Sequence, residues 1–394
     1  MLKLKDNLYY VGVQDENLRT FDIIMSTPYG TSYNAYVIKG SEKTALVEAS
    51  KLGFSQEYFQ RVEEIVPISK VDYLIINHTE PDHVGSIPLL LERNPNIQII
   101  GTNSAITFIA NIINHPFQSR VVKKGDTLDL GDRQLVFYPM PNLHWPDTMF
   151  TFDTKEKALF TCDSFGSHYA YKDVLLSRMA DRTAYHQSQF NYFQDIMAPF
   201  VKPFVINGLK LARELAPEII CTGHGPVLDT DIAFTFDRYE LWCKQEEKTH
   251  KSVAILYVSA YDYTRTLAET IAATIRQEGI EVKLMEATKT DKADIMSALS
   301  SADGLLFGSP TFLGDILKPI SETLSQLYPF MVLGKLGSAF GSYGWSGEAV
   351  PFIVERLKQL KMKTLDGIKF RLRPSEEELE QTREFARQFV KELK

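Results

Sequence analysis

The first half of the chain reads as short apolar runs cut by turn residues. "TSYNAYVIKG" and "KTALVEAS" predict neighbouring strands joined by the turn "KGSEK", and "VDYLIIN" predicts a buried strand. "SIPLLLERNP" predicts a helix stopped by its Asn-Pro pair. "DTLDLGDRQLVFYPM" and "TMFTFDTKEKALFTCD" each predict strand, turn and strand. "APEIICTGHGP" predicts one more buried strand, ending in a glycine-bracketed histidine. The period then changes. "SVAILYVSA" is an apolar strand, and "TRTLAETIAATIRQEG" puts Leu267, Ile271 and Ile275 on one helix face with Gly279 at its end. Strand "IEVKLMEA", helix "KADIMSALSSA", strand "GLLFGSP", helix "LKPISETLSQL", strand "KLGSAFGS" and helix "AVPFIVERLKQL" follow. Strands alternating with helices predict right-handed crossovers and a parallel sheet covered on both faces.

This change of grammar predicts two α/β domains, residues 1–248 and 252–394, with the charged stretch "CKQEEKTHK" at 243–251 between them. A length of 394 residues agrees with two domains. Apolar residues at 44% and charged residues at 24% are ordinary for soluble globular protein. No window approaches eighteen uninterrupted apolar residues, so no membrane span is expected. "MLKLKDNLYYVGV" lacks an apolar signal core, which predicts a cytoplasmic protein. A net charge of −7 without a basic block argues against nucleic acid as a partner. The three cysteines, Cys162, Cys221 and Cys243, form no CxxC pair and no disulfide framework.

The chemistry concentrates at predicted strand ends. "NHTEPDHVGS" follows "VDYLII" and carries His78, Glu80, Asp82 and His83 at i, i+2, i+4 and i+5. "NLHWPD" carries His144, "LFTCDSFG" ends a strand with Asp163, and "CTGHGP" ends one with His224. Each residue alone reads as a cap or turn residue. Together the seven suffice for two metal ions with open positions. Their order resembles the metallo-β-lactamase superfamily, whose signature is HxHxDH followed by His, Asp and His, and whose fold is an αββα sandwich with two metals at one edge. Glu80 stands where the hydrolases usually have a second His. A carboxylate there makes the site harder and more anionic, which favours iron or manganese over zinc and makes redox chemistry plausible. Cys162 and Cys221 read as packing residues.

In the second half, Ser259, Ala260, Tyr261, Asp262, Tyr263 and Thr264 offer hydroxyls and backbone N–H groups at a helix N-terminus. No GxGxxG or GxxxxGK[ST] is present, so dinucleotide and nucleoside triphosphate readings fall. A phosphate monoester held by hydroxyls and amides suits flavin mononucleotide (FMN) in a flavodoxin-like domain. The plain alternative is an ordinary N-cap at Thr264. Two further loops follow strands on the same edge. One holds Ser309, Pro310, Thr311, Phe312, Leu313 and Gly314, and the other Ser342, Tyr343, Gly344, Trp345, Ser346 and Gly347. Their aromatics among small residues suit a flat ring.

A di-metal, metallo-β-lactamase-like αββα sandwich followed by a doubly wound flavodoxin-like parallel sheet resembles the flavodiiron proteins, or A-type flavoproteins. "GTSYNAY" at 30–36, "HWPDTM" at 144–149, "FTCDSFG" at 160–166, "GHGP" at 223–226, "GSPTF" and "GSYGWSG" carry the resemblance, which covers nearly the whole chain. It implies that His78, Glu80 and His144 hold one iron, Asp82 and His224 the other, and that Asp163 bridges them. His83 is a ligand in some members and turned away in others. FMN is implied on the 259–264 loop, its ring near 309–314 and 342–347. Two departures stand out: Asp22 where members often have His, and "SAYDYT" in the phosphate loop. Tyr192 and Phe193 fall where the family brings aromatics toward the irons. Either a phenol bonding an iron-bound intermediate or a core aromatic fits.

The resemblance implies reduction of O2 to water, of NO to N2O, or both. It further implies a head-to-tail homodimer or a tetramer, and electrons from a separate carrier such as rubredoxin. The chief alternative is a zinc hydrolase with a flavodoxin appendage. A flavodoxin-type carrier with a docking module and a metal-free interaction protein are the others.

Overall fold

A computed structural model of the chain describes residues 1–244 and 250–393. The linker expected at 243–251 falls largely on residues outside that description. The chain separates into two compact units, Met1–Gln245 and Glu246–Lys394.

The first unit is built on two sheets. One has seven strands in the order Leu2–Lys5, Leu8–Tyr10, Tyr36–Lys39, Thr44–Val47, Tyr73–Ile75, Gln98–Gly101 and Ser119–Val121. The other has five: Thr127–Asp129, Gln134–Pro139, Met149–Asp153, Ala158–Cys162 and Ile219–Thr222. Side chains alternate along each strand, so each strand serves two cores. Tyr36, Val47 and Ile75 meet Phe137, Phe160 and Ile219 between the sheets. Their neighbours Val37, Leu46 and Leu74 pack outward on Tyr58, Phe59, Leu90 and Ile109. Phe150, Leu159 and Ile220 pack outward on the other side against Phe193, Leu209 and Tyr239. The result is the four-layer αββα sandwich.

"TSYNAYVIKG" differs from expectation: it forms two strands, Thr31–Tyr33 and Tyr36–Lys39, instead of one. Asn34 breaks the run. Its N–H donates to the Gly223 carbonyl at 2.9 Å, and its side-chain amide donates to the Thr222 and Gly225 carbonyls, each at 2.9 Å. One asparagine thus lashes the first sheet to the loop that carries His224.

In the second unit the strands lie in the order Glu281–Glu286, Ser252–Tyr257, Gly304–Gly308 and Leu336–Tyr343, with Lys363–Thr364 and Ile368–Arg371 both beyond the last. All of these pairings are parallel. Leu267, Ile271 and Ile275 of helix Tyr263–Gln277 are fully buried on one face. Ile295, Leu299, Ile320 and Ile353 cover the other. This is the doubly wound order, whose ligand site lies at the carboxyl strand ends where strand order reverses. Helix Glu376–Leu393, not anticipated above, closes the first face with Phe385, Phe389 and Val390. Among the described residues no helix is long and apolar enough to cross a membrane.

A buried ion pair ties the second sheet to the N-terminal turn. Arg133 donates to Asp153 at 3.0 Å and to the Asp6 carbonyl at 2.9 Å, with both side chains of the pair inaccessible to water. Asp153→Ala removes the nearer of two countercharges and leaves the buried guanidinium only Glu156 at 3.8 Å, so it is expected to cost about 3 kcal/mol in urea unfolding followed by tryptophan fluorescence. A loss below ~1 kcal/mol would show the arginine rehydrates.

Candidate functional site

Five chain segments stop at one edge of the sandwich. The segment carrying His78 and Glu80 leaves strand Tyr73–Ile75, and Asp82 and His83 lie in the short helix Pro81–Val84 that follows. Asp163 follows strand Ala158–Cys162, and His224 follows strand Ile219–Thr222. His144 lies in the loop before strand Met149–Asp153, and Glu48 follows strand Thr44–Val47. Loops at strand ends are free to carry chemistry because the strands beneath them supply the stability.

The side chains form two clusters sharing one carboxylate. His78, Glu80, His144 and Asp163 offer ligand atoms that all lie within 4.8 Å of one another, and so do Asp82, His83 and His224. Asp163 reaches both. Its Oδ2 is 3.0 Å from His144 Nε2 and 3.5 Å from His78 Nε2. Its Oδ1 is 3.1 Å from His83 Nε2 and 3.4 Å from His224 Nε2. Glu80 Oε2 lies 3.1 Å from His78 Nε2 and 3.4 Å from His144 Nε2, while Asp82 Oδ2 lies 3.2 Å from His224 Nε2. All seven predicted ligand residues therefore meet.

The far nitrogens of two imidazoles are also held. His78 Nδ1 is 3.3 Å from Asp147 Oδ2, which accepts from the Thr79 N–H at 2.7 Å and its hydroxyl at 2.8 Å. His224 Nδ1 donates to the Ser32 carbonyl at 2.5 Å. Asp147 was missed as a functional residue, although "HWPD" contains it. Its role is visible only once the two sheets are stacked.

Electrostatics and packing both fit a metal pair. Burial works against charge on His78, yet hydrogen bonds to Asp147 and Glu80 hold its pKa well above the usual range. Burial likewise opposes charge on His83, but Asp82 and Asp163 outweigh it and push the pKa up to about 10. Burial would raise Asp163, and the imidazolium of His83 with the bond from His144 drives it well below the usual carboxylate range instead. Both oxygens of buried Asp82 lack a hydrogen-bond partner, which is costly unless a cation faces them. A Cβ on Gly223 would stand 2.7 Å from His83 Cε1 and 3.1 Å from Asp163 Oδ1, so the backbone approaches as closely as only glycine allows.

The other expected residues divide. Tyr192 is buried with its hydroxyl unpartnered, and its ring lies 4.8 Å from His168 and 6.1 Å from His224. Its neighbour Phe193 packs on Tyr239 and Trp242 in the core. His168, not anticipated, bonds Thr31 Oγ1 at 2.9 Å, and burial followed by His224 lowers its pKa to about 3. Asp22 sits in the hairpin tip at φ +47. The residue is exposed, but its carboxyl turns in, and burial followed by a hydrogen bond with Glu80 raises its pKa to about 6. Cys162 is 1% exposed, and burial followed by Asp163 pushes its thiol well above the usual range, so it offers no thiolate.

The second unit carries a cleft of about 400 Å³ at its carboxyl strand ends. Ser259, Ala260, Tyr261 and Tyr263 line it from one loop, Pro310, Thr311, Phe312, Leu313 and Gly314 from the second, and Ser342, Tyr343, Gly344, Trp345 and Ser346 from the third. Tyr261 and Phe312 face each other 6.4 Å apart and only 19° from parallel. Tyr261 (72%), Leu313 (98%) and Trp345 (91%) leave large apolar surface exposed at the rim, the mark of a binding site.

Asp262, Thr264, Ser309 and Gly347 lie outside the lining. Asp262, at φ +62, precedes the helix and pairs with Arg265 at 2.7 Å. It, not Thr264, holds the N-cap position, without a capping bond. The Thr264 hydroxyl bonds that of Ser342 at 3.0 Å, the Ser309 hydroxyl accepts the Leu317 N–H at 3.1 Å, and the Gly347 carbonyl accepts from Lys369 at 2.7 Å. These brace the loops from behind. Leu372 is a lining residue that was not anticipated.

His83 is protonated at pH 7 in the metal-free site, and an imidazolium has no lone pair for a metal. His78 and His144 are likewise held toward the protonated form, so metal uptake at these groups is expected to expel protons and affinity to rise with pH above neutrality. Adding ferrous ion anaerobically to metal-free protein in weak buffer at pH 7 is expected to acidify the solution, read by an indicator dye. Uptake without proton release would contradict the charge balance.

Comparison with known proteins identifies the family to which both units belong. Residues 31–225 match the family model described as ODP family beta lactamase, and residues 255–385 match that described as Flavodoxin. The flavo-diiron protein FprA2 of Clostridium acetobutylicum is 37% identical over 100% of this chain and 99% of its own. The anaerobic nitric oxide reductase flavorubredoxin of Pectobacterium carotovorum is 33% identical over 99% of this chain and 78% of its own. The solved rubredoxin oxygen:oxidoreductase of Desulfovibrio gigas is 30% identical with a TM-score of 0.72, covering 99% of this chain and 98% of that one. The chain belongs to the flavodiiron proteins, a family of oxidoreductases that carry FMN and a diiron centre.

Proposed function

We propose that this oxidoreductase reduces a diatomic gas, O2 to water or NO to N2O, at a pair of irons served by FMN. The observation that carries the reading is the divided contact of Asp163, one oxygen toward His78 and His144 and the other toward His83 and His224. A carboxylate so placed suits a bridge between two metals. On this reading His78, Glu80 and His144 hold one iron, and Asp82, His83 and His224 the other. The printed names of the relatives, a nitric oxide reductase and an oxygen:oxidoreductase, support a gaseous substrate.

Bound there, the iron pair and FMN supply electrons: four, with four protons, turn O2 into two waters, and two, with two protons, join two NO into N2O and one water. The chain's own residues hold and orient. Asp147 and the Ser32 carbonyl fix the imidazoles of His78 and His224 so that each Nε2 points inward. Glu80 supplies an anionic oxygen in place of an imidazole, which favours iron over zinc. The buried Tyr192 hydroxyl has no hydrogen-bond partner, and its ring centroid lies 6.1 Å from that of His224, so it is a candidate donor toward the metal edge. In the second unit the backbone N–H groups of 259–263 and the Ser259 hydroxyl suit the FMN phosphate, and Tyr261, Phe312 and Trp345 suit its ring.

On this reading electrons come from a separate small carrier such as rubredoxin, to a head-to-tail homodimer or a tetramer, in the cytoplasm.

The reading is tested by metal and flavin analysis together with anaerobic reduction, followed by electrode traces for O2 and NO taken separately. Two irons and one FMN per chain, with consumption of at least one gas, are expected. Two zinc ions and no consumption would sink the reading in favour of a hydrolase. Glu80→His is expected to retain metal but lose gas reduction by at least ~100-fold in kcat, because it removes the anionic ligand. An active Glu80→His enzyme, measured on the same electrodes, would count against the carboxylate argument.

A further inference from the structure

Glu48 is a buried acid that no step above uses. It lies one residue past strand Thr44–Val47, is 2% exposed, and holds φ +61. A glutamate in the left-handed region is strained, and such strain persists where the surroundings require the side chain in one place. Its Oε1 accepts the Asn77 N–H at 2.8 Å, and its carbonyl accepts the Tyr58 hydroxyl at 3.2 Å. The next residue, Ala49, donates its N–H to the His83 carbonyl at 3.0 Å. The remaining oxygen, Oε2, has no hydrogen-bond partner and lies 3.7 Å from His83 Nδ1.

We infer that Glu48 is the positioning residue for His83: its Oε2, 3.7 Å from Nδ1 and without another partner, closes on the Nδ1–H of that imidazole when metal binds and commits Nε2 to the metal position shared with Asp82 and His224. The inference rests on the proposed diiron centre and assigns a task to a residue outside it. Its ground is a pattern on the same edge. His78 has Asp147 behind its Nδ1, and His224 has the Ser32 carbonyl. His83 has Glu48, while its Nε2 lies 3.1 Å from Asp163 and 3.7 Å from Asp82. The other neighbour of Nδ1 is Cys162 Sγ at 3.7 Å, a thiol and therefore a weak acceptor. A carboxyl oxygen behind a ligating histidine fixes its tautomer and ring orientation, and removal typically weakens metal binding about 10–100-fold.

The test uses iron-loaded protein in chelator competition, with Mössbauer spectra of isotopically enriched samples. Glu48→Gln presents an N–H or a turned amide where the acceptor was. It is expected to weaken one iron of the two about 10–100-fold and to alter that iron's signal alone. His83→Ala is expected to weaken the same iron, and the double variant to be no worse than His83→Ala. Cys162→Ala is expected to leave both irons in place. Both irons held at unchanged affinity with an unchanged spectrum in Glu48→Gln would overturn the inference, as would full additivity in the double variant. Should Glu48→Gln not fold, Glu48→Asp, too short to reach Nδ1, is read by the same criteria. Wild-type protein without iron would overturn the proposed function itself, whereas two irons indifferent to Glu48 would overturn only this inference.

Discussion

Charge buried at the end of a hydrophobic sandwich governs the first unit. Glu80, Asp82 and Asp163 converge with four imidazoles where the core between the sheets runs out. Left to themselves, these groups stabilise one another as ion pairs, with His78, His83 and His144 held toward the charged form and the carboxylates of Glu80, Asp82 and Asp163 held below their usual range. That compensation is incomplete: neither oxygen of Asp82 makes a hydrogen bond, although His224 Nε2 lies 3.2 Å from Oδ2 and His83 Nε2 lies 3.7 Å from Oδ1. Buried charge without full pairing is costly in a low-dielectric interior. A pair of divalent cations held there would offset that cost, taking the place of imidazole protons beside the carboxylates.

The architecture exists to hold that convergence. The ligands come from both sheets, so the sheets must keep their register at one edge. Asn34 does this by bonding the backbone around His224, and Met149 N–H does it again by bonding the Asn77 carbonyl at 2.9 Å. Arg133 and Asp153 secure another part of the stack. The second unit solves a different problem with a different fold. Its parallel strands all point their carboxyl ends one way, so three loops gather around a single cleft.

Much of this was legible in the sequence, and the exceptions have physical causes. Strands alternating in polarity, or flanked by glycine and proline, were readable because burial on a sheet face leaves a local signature. The seven residues that converge at the edge were readable as a set because their types and order are those coordination chemistry requires. Glu48 and Asp147 were not, because an acid that steadies a histidine is a strand-end acid like any other until its partner, distant in the chain, is brought beside it. The strand break at Asn34 was hidden for the same reason: its amide answers to carbonyls of residues 222, 223 and 225. In the cleft, Ser309 and Thr264 are the right residues in the right loops, but their hydroxyls point into the scaffold. Spacing cannot tell a lining residue from one that braces the lining.

The three cysteines bear on durability. Cys162, Cys221 and Cys243 are all buried, and burial keeps the first two far from ionising and lifts the third to about 11. Oxidants attack the thiolate, and the neutral thiol is slow to react. The sulfur nearest the ligands, Cys162, is thus shielded by the very carboxylate beside it. Among the described residues, no cysteine at this edge offers a ready thiolate to an oxidant.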